Sequence, residues 1–175
     1  MGLMEKIKEV FYQARGLAPD GLAEGKVGLT AALAAKVIRA DGRIEDKGVV
    51  SRRSVTTAFV NYLVQSFLQS TTSPLDIFKY HAPGTATTAE STADTTMGTA
   101  VGIRGTGTNS TGATANVFRS LATIAFTAAA AITEHGVFNS GSAGTLLDRS
   151  SFAVINVASG DSIQFTYDLT CTAGG

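Results

Sequence analysis

From Ser162 to Cys171 ten residues alternate without interruption: Ile163, Phe165, Tyr167, Leu169 and Cys171 are apolar, and Ser162, Gln164, Thr166, Asp168 and Thr170 are polar. Successive side chains of a strand point to opposite faces, so this period of two puts all the apolar residues on one face of a sheet. A helix would scatter the same residues around its circumference. The segment reads as a half-buried antiparallel strand, and its apolar face needs a second layer to cover it.

The stretch before it repeats the theme. Phe118, Ala122, Ile124 and Phe126 share one strand face, with Arg119 and Thr123 on the other. Ala131–Phe138, Leu146–Phe152 and Val154–Val157 are further strand candidates, separated by turn signals at Asn139–Gly144 and Ser159–Asp161. Short strands at this spacing predict a sandwich or barrel-like β-domain, with the last strand at a sheet edge open to another chain. Leu75–His81 adds a strand. Gly84–Ala115 is dominated by Thr, Gly, Ala and Ser, with Met97, Val101 and Ile103 as apolar anchors; it predicts one or two short strands and a mobile loop at Gly105–Gly112.

The front of the chain has a different period. Leu3, Ile7, Val10, Phe11 and Ala14 recur at helical spacing, Gly16 is a stop signal, and Gly16–Lys26 reads as a linker. Val27–Arg39 fits a helix or an apolar strand equally well. Asp41-Gly42 is a turn signal. Ser51–Gln69 is the clearest helix, with Ser54 able to cap it, Val55, Phe59, Tyr62, Leu63, Ser66 and Phe67 on one face, and Pro74 ending it. The expected fold is mainly β (α+β): an N-terminal helical region over residues 1–74 and an antiparallel β-sandwich, jelly-roll-like, over 75–175.

Charge and cysteine content exclude several function classes. Charged residues make up 16% of the chain and the net charge is +0, which gives no footprint for a general nucleic-acid or anionic-membrane binder. The sign is uneven, with 11 basic and 8 acidic residues up to Tyr80 against 3 and 6 after it. The single cysteine, Cys171, cannot form a disulfide within the chain and alternates like a small core residue. The most apolar run, Leu121–Ile132, is too short for a membrane helix, and the charged N-terminus lacks a continuous signal-peptide core. A soluble intracellular product is expected.

Residues able to carry chemistry are few. His81 and His135 stand in no metal-binding pattern. Glu134-His135 is the most tempting pair, but strand neighbours face opposite ways unless a bulge, for which Gly136 is a candidate, brings them together. Asp41, Glu45 and Asp46 crowd a turn without the order of a calcium loop. Gly105-Thr106-Gly107 lacks the lysine of a phosphate loop. Arg52-Arg53 reads as an exposed basic pair, and Arg149 as a cross-strand partner for Asp148 or Glu134. Asn109-Ser110-Thr111 matches a glycosylation sequon by chance in a chain without a secretion signal. No catalytic residue, cofactor site or metal site is expected.

The segments Ile132–Phe138, Gly144–Arg149, Ile155 and Gly160–Tyr167 resemble a run in tailed-phage virion proteins: an I-T-E-x-G-hydrophobic-F strand, a G-T-L-hydrophobic-x-R segment and a G-D-S-I-x-F-x-Y closing strand. Ser54–Asn61, Asp76–His81, Gly84 and Thr85 are similar to the front half of the same group, so the resemblance spans about 49–175. It implies a non-enzymatic phage structural protein of the capsid decoration or cement kind, in the virion and assembled in the host cytoplasm. The implied partners are itself, as a homotrimer, and the major capsid protein or other virion proteins, with no small-molecule substrate, nucleic acid or membrane. Leu3, Ile7, Phe11, Arg52, Arg53 and Arg149 are the expected interface residues. A tail, neck or fibre-base subunit is the alternative. A carbohydrate-binding jelly roll ranks below both, since there is no Trp and the four Tyr mark no platform.

Overall fold

In the computed structural model, residues 26–53, 55–68 and 75–174 are described. The predicted N-terminal helix with Leu3, Ile7 and Phe11, the linker that follows it, Ser54 and Pro74 lie outside them. Leu29–Thr170 form one compact unit. A second unit takes in Met1–Gly28 and Cys171–Gly175, of which the described parts are the ends of the first and last strands.

The ambiguous stretch after the linker is strand. β1 (Lys26–Ile38) carries Ala31, Leu33, Ala35 and Val37 at period two, all buried, and turns back through Asp41-Gly42 into β2 (Ile44–Arg53). The β-fold therefore starts well before residue 75. An alanine-rich run suits either period, and the β-branched Thr30 and Val37 with a sheet edge to pair with settle it as strand. The helix is shorter than its sequence pattern: Ser51–Arg53 finish β2, and α1 runs from Thr57 to Leu68. Thr56 caps it, its Oγ1 accepting from the Phe59 amide at 3.1 Å. A 3-10 turn at Leu75–Ile77 then precedes β3 (Tyr80–Gly84). The Gly- and Thr-rich region holds two short strands, β4 (Gly105–Thr106) and β5 (Thr108–Thr111), where a mobile loop was expected. Then come β6 (Val117–Ala125), β7 (Ala130–Phe138), β8 (Leu146–Val157) and β9 (Ser162–Gly174).

These nine strands make two antiparallel sheets, ordered β2-β1-β9-β6-β5 and β4-β3-β7-β8. The fold is mainly β and sandwich-like, as its alternation predicts. β9 is central, however, not an edge: β1 covers the side that the closing strand was expected to leave open. Cys171 is exposed, not core; it lies just past the point where β6 ends, opposite Thr170. The main core joins Leu33, Val37, Ile163 and Phe165 of the first sheet to Ile132, Val137 and Leu147 of the second, with Phe59 and Phe78 closing one end. Phe59 and Tyr62 both meet Phe78 edge-on, with ring centroids 5.1 and 5.0 Å away.

Edges are protected by position and side chains. β2 carries two register shifts and the charged Glu45, Asp46 and Lys47, which spoil it as a template. On β8 the Leu147 carbonyl accepts from the Thr56 amide at 2.9 Å, and the Asn156 carbonyl from Arg39 Nη1 at 2.9 Å.

Candidate functional site

The second sheet is buried on both faces. β7 pairs with β3 and β8 so that Glu134, Gly136 and Phe138 face outward, while His135 and Val137 face the first sheet. The outward face is roofed by the segment after β3, through a second small core of Ala82, Met97, Phe138 and Leu146. Glu134 and His135 therefore point to opposite faces, as strand geometry requires. The register between β7 and β8 shifts opposite Thr133 and again between Val137 and Phe138, both times with the extra residues on β8, and not at Gly136. Gly136 instead makes room for the roof, since a Cβ there would sit 2.5 Å from Met97 Sδ.

On the outer face Glu134 is 0% exposed. Its carboxylate accepts from Arg149 Nε at 2.6 Å and from the amides of Thr99, Gly98 and Ala86 at 2.7, 3.1 and 3.3 Å. Burial works to raise its pKa, but those amides and the guanidinium outweigh it and hold the group below the usual carboxylate range. Arg149 spends its other donors on Asp94 Oδ2, the Ala89 and Thr88 carbonyls and Thr88 Oγ1. The cross-strand pairing with Glu134 is as expected, yet Arg149 is only 4% exposed. It ties the roof to the sheet and is not available as a surface contact.

On the inner face a polar seam crosses the core. His81 Nδ1 lies 3.0 Å from His135 Nε2, and His81 Nε2 lies 2.9 Å from Ser120 Oγ on the opposite sheet. His135 also packs on Phe165 with centroids 4.3 Å apart. Two strand positions along, Asp148 accepts from Ser150 Oγ at 3.2 Å, close enough to Tyr167 to act on it electrostatically. The Tyr167 hydroxyl and Ser51 Oγ are buried with no partner. Burial pushes His81 down to about 4 and His135 well below the usual imidazole range; it lifts Asp148 to about 7 and Tyr167 well above the usual phenol range.

Ser120, His81 and His135 are connected like a hydroxyl, its base and an orienting group. Ser120 is nonetheless 0% exposed, and a Cβ on Gly107 would stand 3.0 Å from His81 Nε2, so backbone closes over the ring. No substrate can meet this hydroxyl while the sandwich is shut. The residues that line up are hydrogen-bonding partners joining two sheets.

The sequence put Tyr167 on the buried face of its strand and Asp148 beside Arg149, but nothing in it marked either, or Ser120, as part of a polar seam. One signal was present: Ile132–Phe138 has no consistently polar face, which is what a strand covered on both sides looks like. The acidic turn resolves into ion pairs, Asp41 with Arg43, Glu45 with Arg39 and Lys47, and Asp46 with Lys36. Arg39 further reaches Asp161 at 2.9 Å, binding the β1–β2 turn to the β8–β9 turn. Among the described residues no three His, Cys, Asp or Glu side chains gather as metal ligands, and no helix is long and apolar enough to cross a membrane.

The surface differs in kind from the interior. Arg52 and Arg53 line a shallow depression with Thr30, Ala31, Ala32 and Thr170, and Arg53 pairs with Glu90. α1 has no charged residue. It buries Phe59 but leaves Val60, Val64, Phe67 and Leu68 exposed along one stripe, so Phe67, expected on the buried face, is 81% exposed. Ile103 is 88% exposed at the rim of a cleft of about 630 Å³ lined by Val101, Phe126 and the alanines at 128–130. No protein-family model matches the chain, and no curated protein or solved structure matches it significantly.

Proposed function

We propose that this chain is a phage virion structural protein that acts by binding, as a capsid decoration or cement subunit associating with itself as a trimer and with the major capsid protein. The observation that carries the reading is a division of labour. The polar groups capable of chemistry are spent inside the fold, while uncharged apolar side chains stand outside: Phe67 and Leu68 on α1, Ile103 on its turn and Val154 on β8. An apolar stripe without charges favours contact with other protein surfaces over solvent. The sequence resemblance to tailed-phage virion proteins supports the same class. Symmetric repetition would let weak contacts add up to tight attachment. Leu3, Ile7 and Phe11 are the proposed arm contacts, and Arg52 and Arg53 proposed polar contacts.

The test is the copy number of the chain in purified particles by quantitative mass spectrometry. A cement role predicts on the order of hundreds of copies, as a symmetric shell requires. A dozen or fewer would move the assignment to a tail, neck or fibre-base part, and absence from particles would overturn the reading.

A further inference from the structure

The histidine pair is placed where a charge would do most damage. His81 on β3 and His135 on β7 belong to one sheet, and Ser120 on β6 to the other, so the His81–Ser120 hydrogen bond is a direct tie between the layers. One ring must donate and the other accept across the 3.0 Å contact between them. That arrangement is satisfied by two neutral imidazoles, and two imidazolium rings would set N–H against N–H.

No countercharge faces the pair. β9 presents Phe165 and Tyr167 to this interior, β1 presents Ala31, Leu33, Ala35 and Val37, and α1 presents Phe59. β4 and β5 contain no ionisable side chain. β8 presents Ser150 and Asp148, and burial keeps that carboxyl protonated through the acid range, so it cannot act as an anion for the rings. At the end of the seam β2 brings Ser51 and Arg53, and Glu90 of the roof is taken by Arg53 and Ser151.

We propose that the His81–His135–Ser120 cluster is an acid-operated catch between the two sheets, closed while both rings are neutral and released when they take up protons. The reading is independent of the virion assignment. The sign follows from linkage. Both folded pKa values lie below the ordinary histidine value of roughly 6.5, so the unfolded chain binds more protons and stability falls as pH drops from about 6.5 toward 4. Asp148 works in the opposite sense, adding stability as pH falls through about 7, and the depressed Glu134, Asp161 and Glu45 begin to cost stability only near the ordinary carboxylate range, so above that range the histidines are the groups that weaken the fold.

The experiment uses the full chain labelled with ¹⁵N-histidine and follows the imidazole nitrogens by NMR from pH 8 downward, alongside binding of a hydrophobic dye. The expected result is that both rings keep neutral shifts for as long as the folded spectrum persists, and that dye binding rises between about pH 5 and 4 as that spectrum is lost. A folded protein in which either ring titrates near 6.5 would overturn the proposal. A second arm uses His135→Gln, whose amide can occupy the Nε2 position without titrating. It should shift dye binding to lower pH and reduce the net protons taken up at opening by about one. An unchanged midpoint and proton count would also overturn it. If that variant does not fold, the wild-type titration alone decides.

Discussion

The two faces of the second sheet bury ionisable groups in opposite ways. On the outer face Glu134 stays ionised, because one guanidinium and three backbone amides replace its water. On the inner face no opposite charge acts on His81 or His135, and for Asp148 burial outweighs the Ser150 hydroxyl, the Arg53 charge and the Arg149 amide, so each is pushed to its neutral form. Similar exclusion from solvent gives opposite protonation. What separates them is the supply of backbone donors: the roof turns its amides at 86, 98 and 99 toward the sheet, whereas strands of a sandwich have already used theirs in the ladder.

The sharpest way to break this contrast is Arg149→Met, which strands the Glu134 carboxylate. It should cost ~3–5 kcal/mol in urea unfolding. Adding Glu134→Gln should recover a large part of that loss, and two additive losses would show that the pair is not a unit.

Asp148→Asn should do the reverse. The folded pKa of Asp148 is raised to about 7 from an ordinary 3.8, so its stabilising contribution is complete below 3.8 and is lost as pH rises through 7. The asparagine variant should therefore gain on the wild type between pH 5 and pH 8, by on the order of 2–4 kcal/mol. A gap that stays constant with pH would show that Asp148 ionises freely.

Gly136→Ala tests the roof alone. Its Cβ meets Met97 Sδ, a flexible side chain, so a loss of about 1–3 kcal/mol is expected in thermal unfolding. The smallest effect is Ser120→Ala, which leaves His81 Nε2 without its partner and should cost ~1 kcal/mol. No loss at all would remove the cross-sheet tie from the account.

Much of the sheet was legible in the sequence, because a one-face strand writes its burial as alternation. β9 and β6 are of that kind, and their inward residues Ile163, Phe165, Tyr167, Ala122 and Ile124 are as read. The centre of the second sheet was not legible as a site. β7 is covered on both sides, so Glu134 and His135 look alike as buried polar residues, and only the register shows which layer each enters. β1 was ambiguous because alanine satisfies both periods. The Arg149 and Phe67 errors have one cause: local periodicity identifies a face but not what covers it. A roof formed by residues 85–100 buries Arg149, and no described element covers Phe67.

In the proposed binding role the interior's polar groups serve the fold and the uncharged outer surfaces make the contacts. Sedimentation velocity of the full chain at micromolar concentration tests this most directly, with Phe67→Glu beside it. The prediction is a self-associated wild type, trimeric in mass, that Phe67→Glu weakens without lowering the melting temperature. A wild type that sediments as a monomer, indistinguishable from the variant, would contradict it.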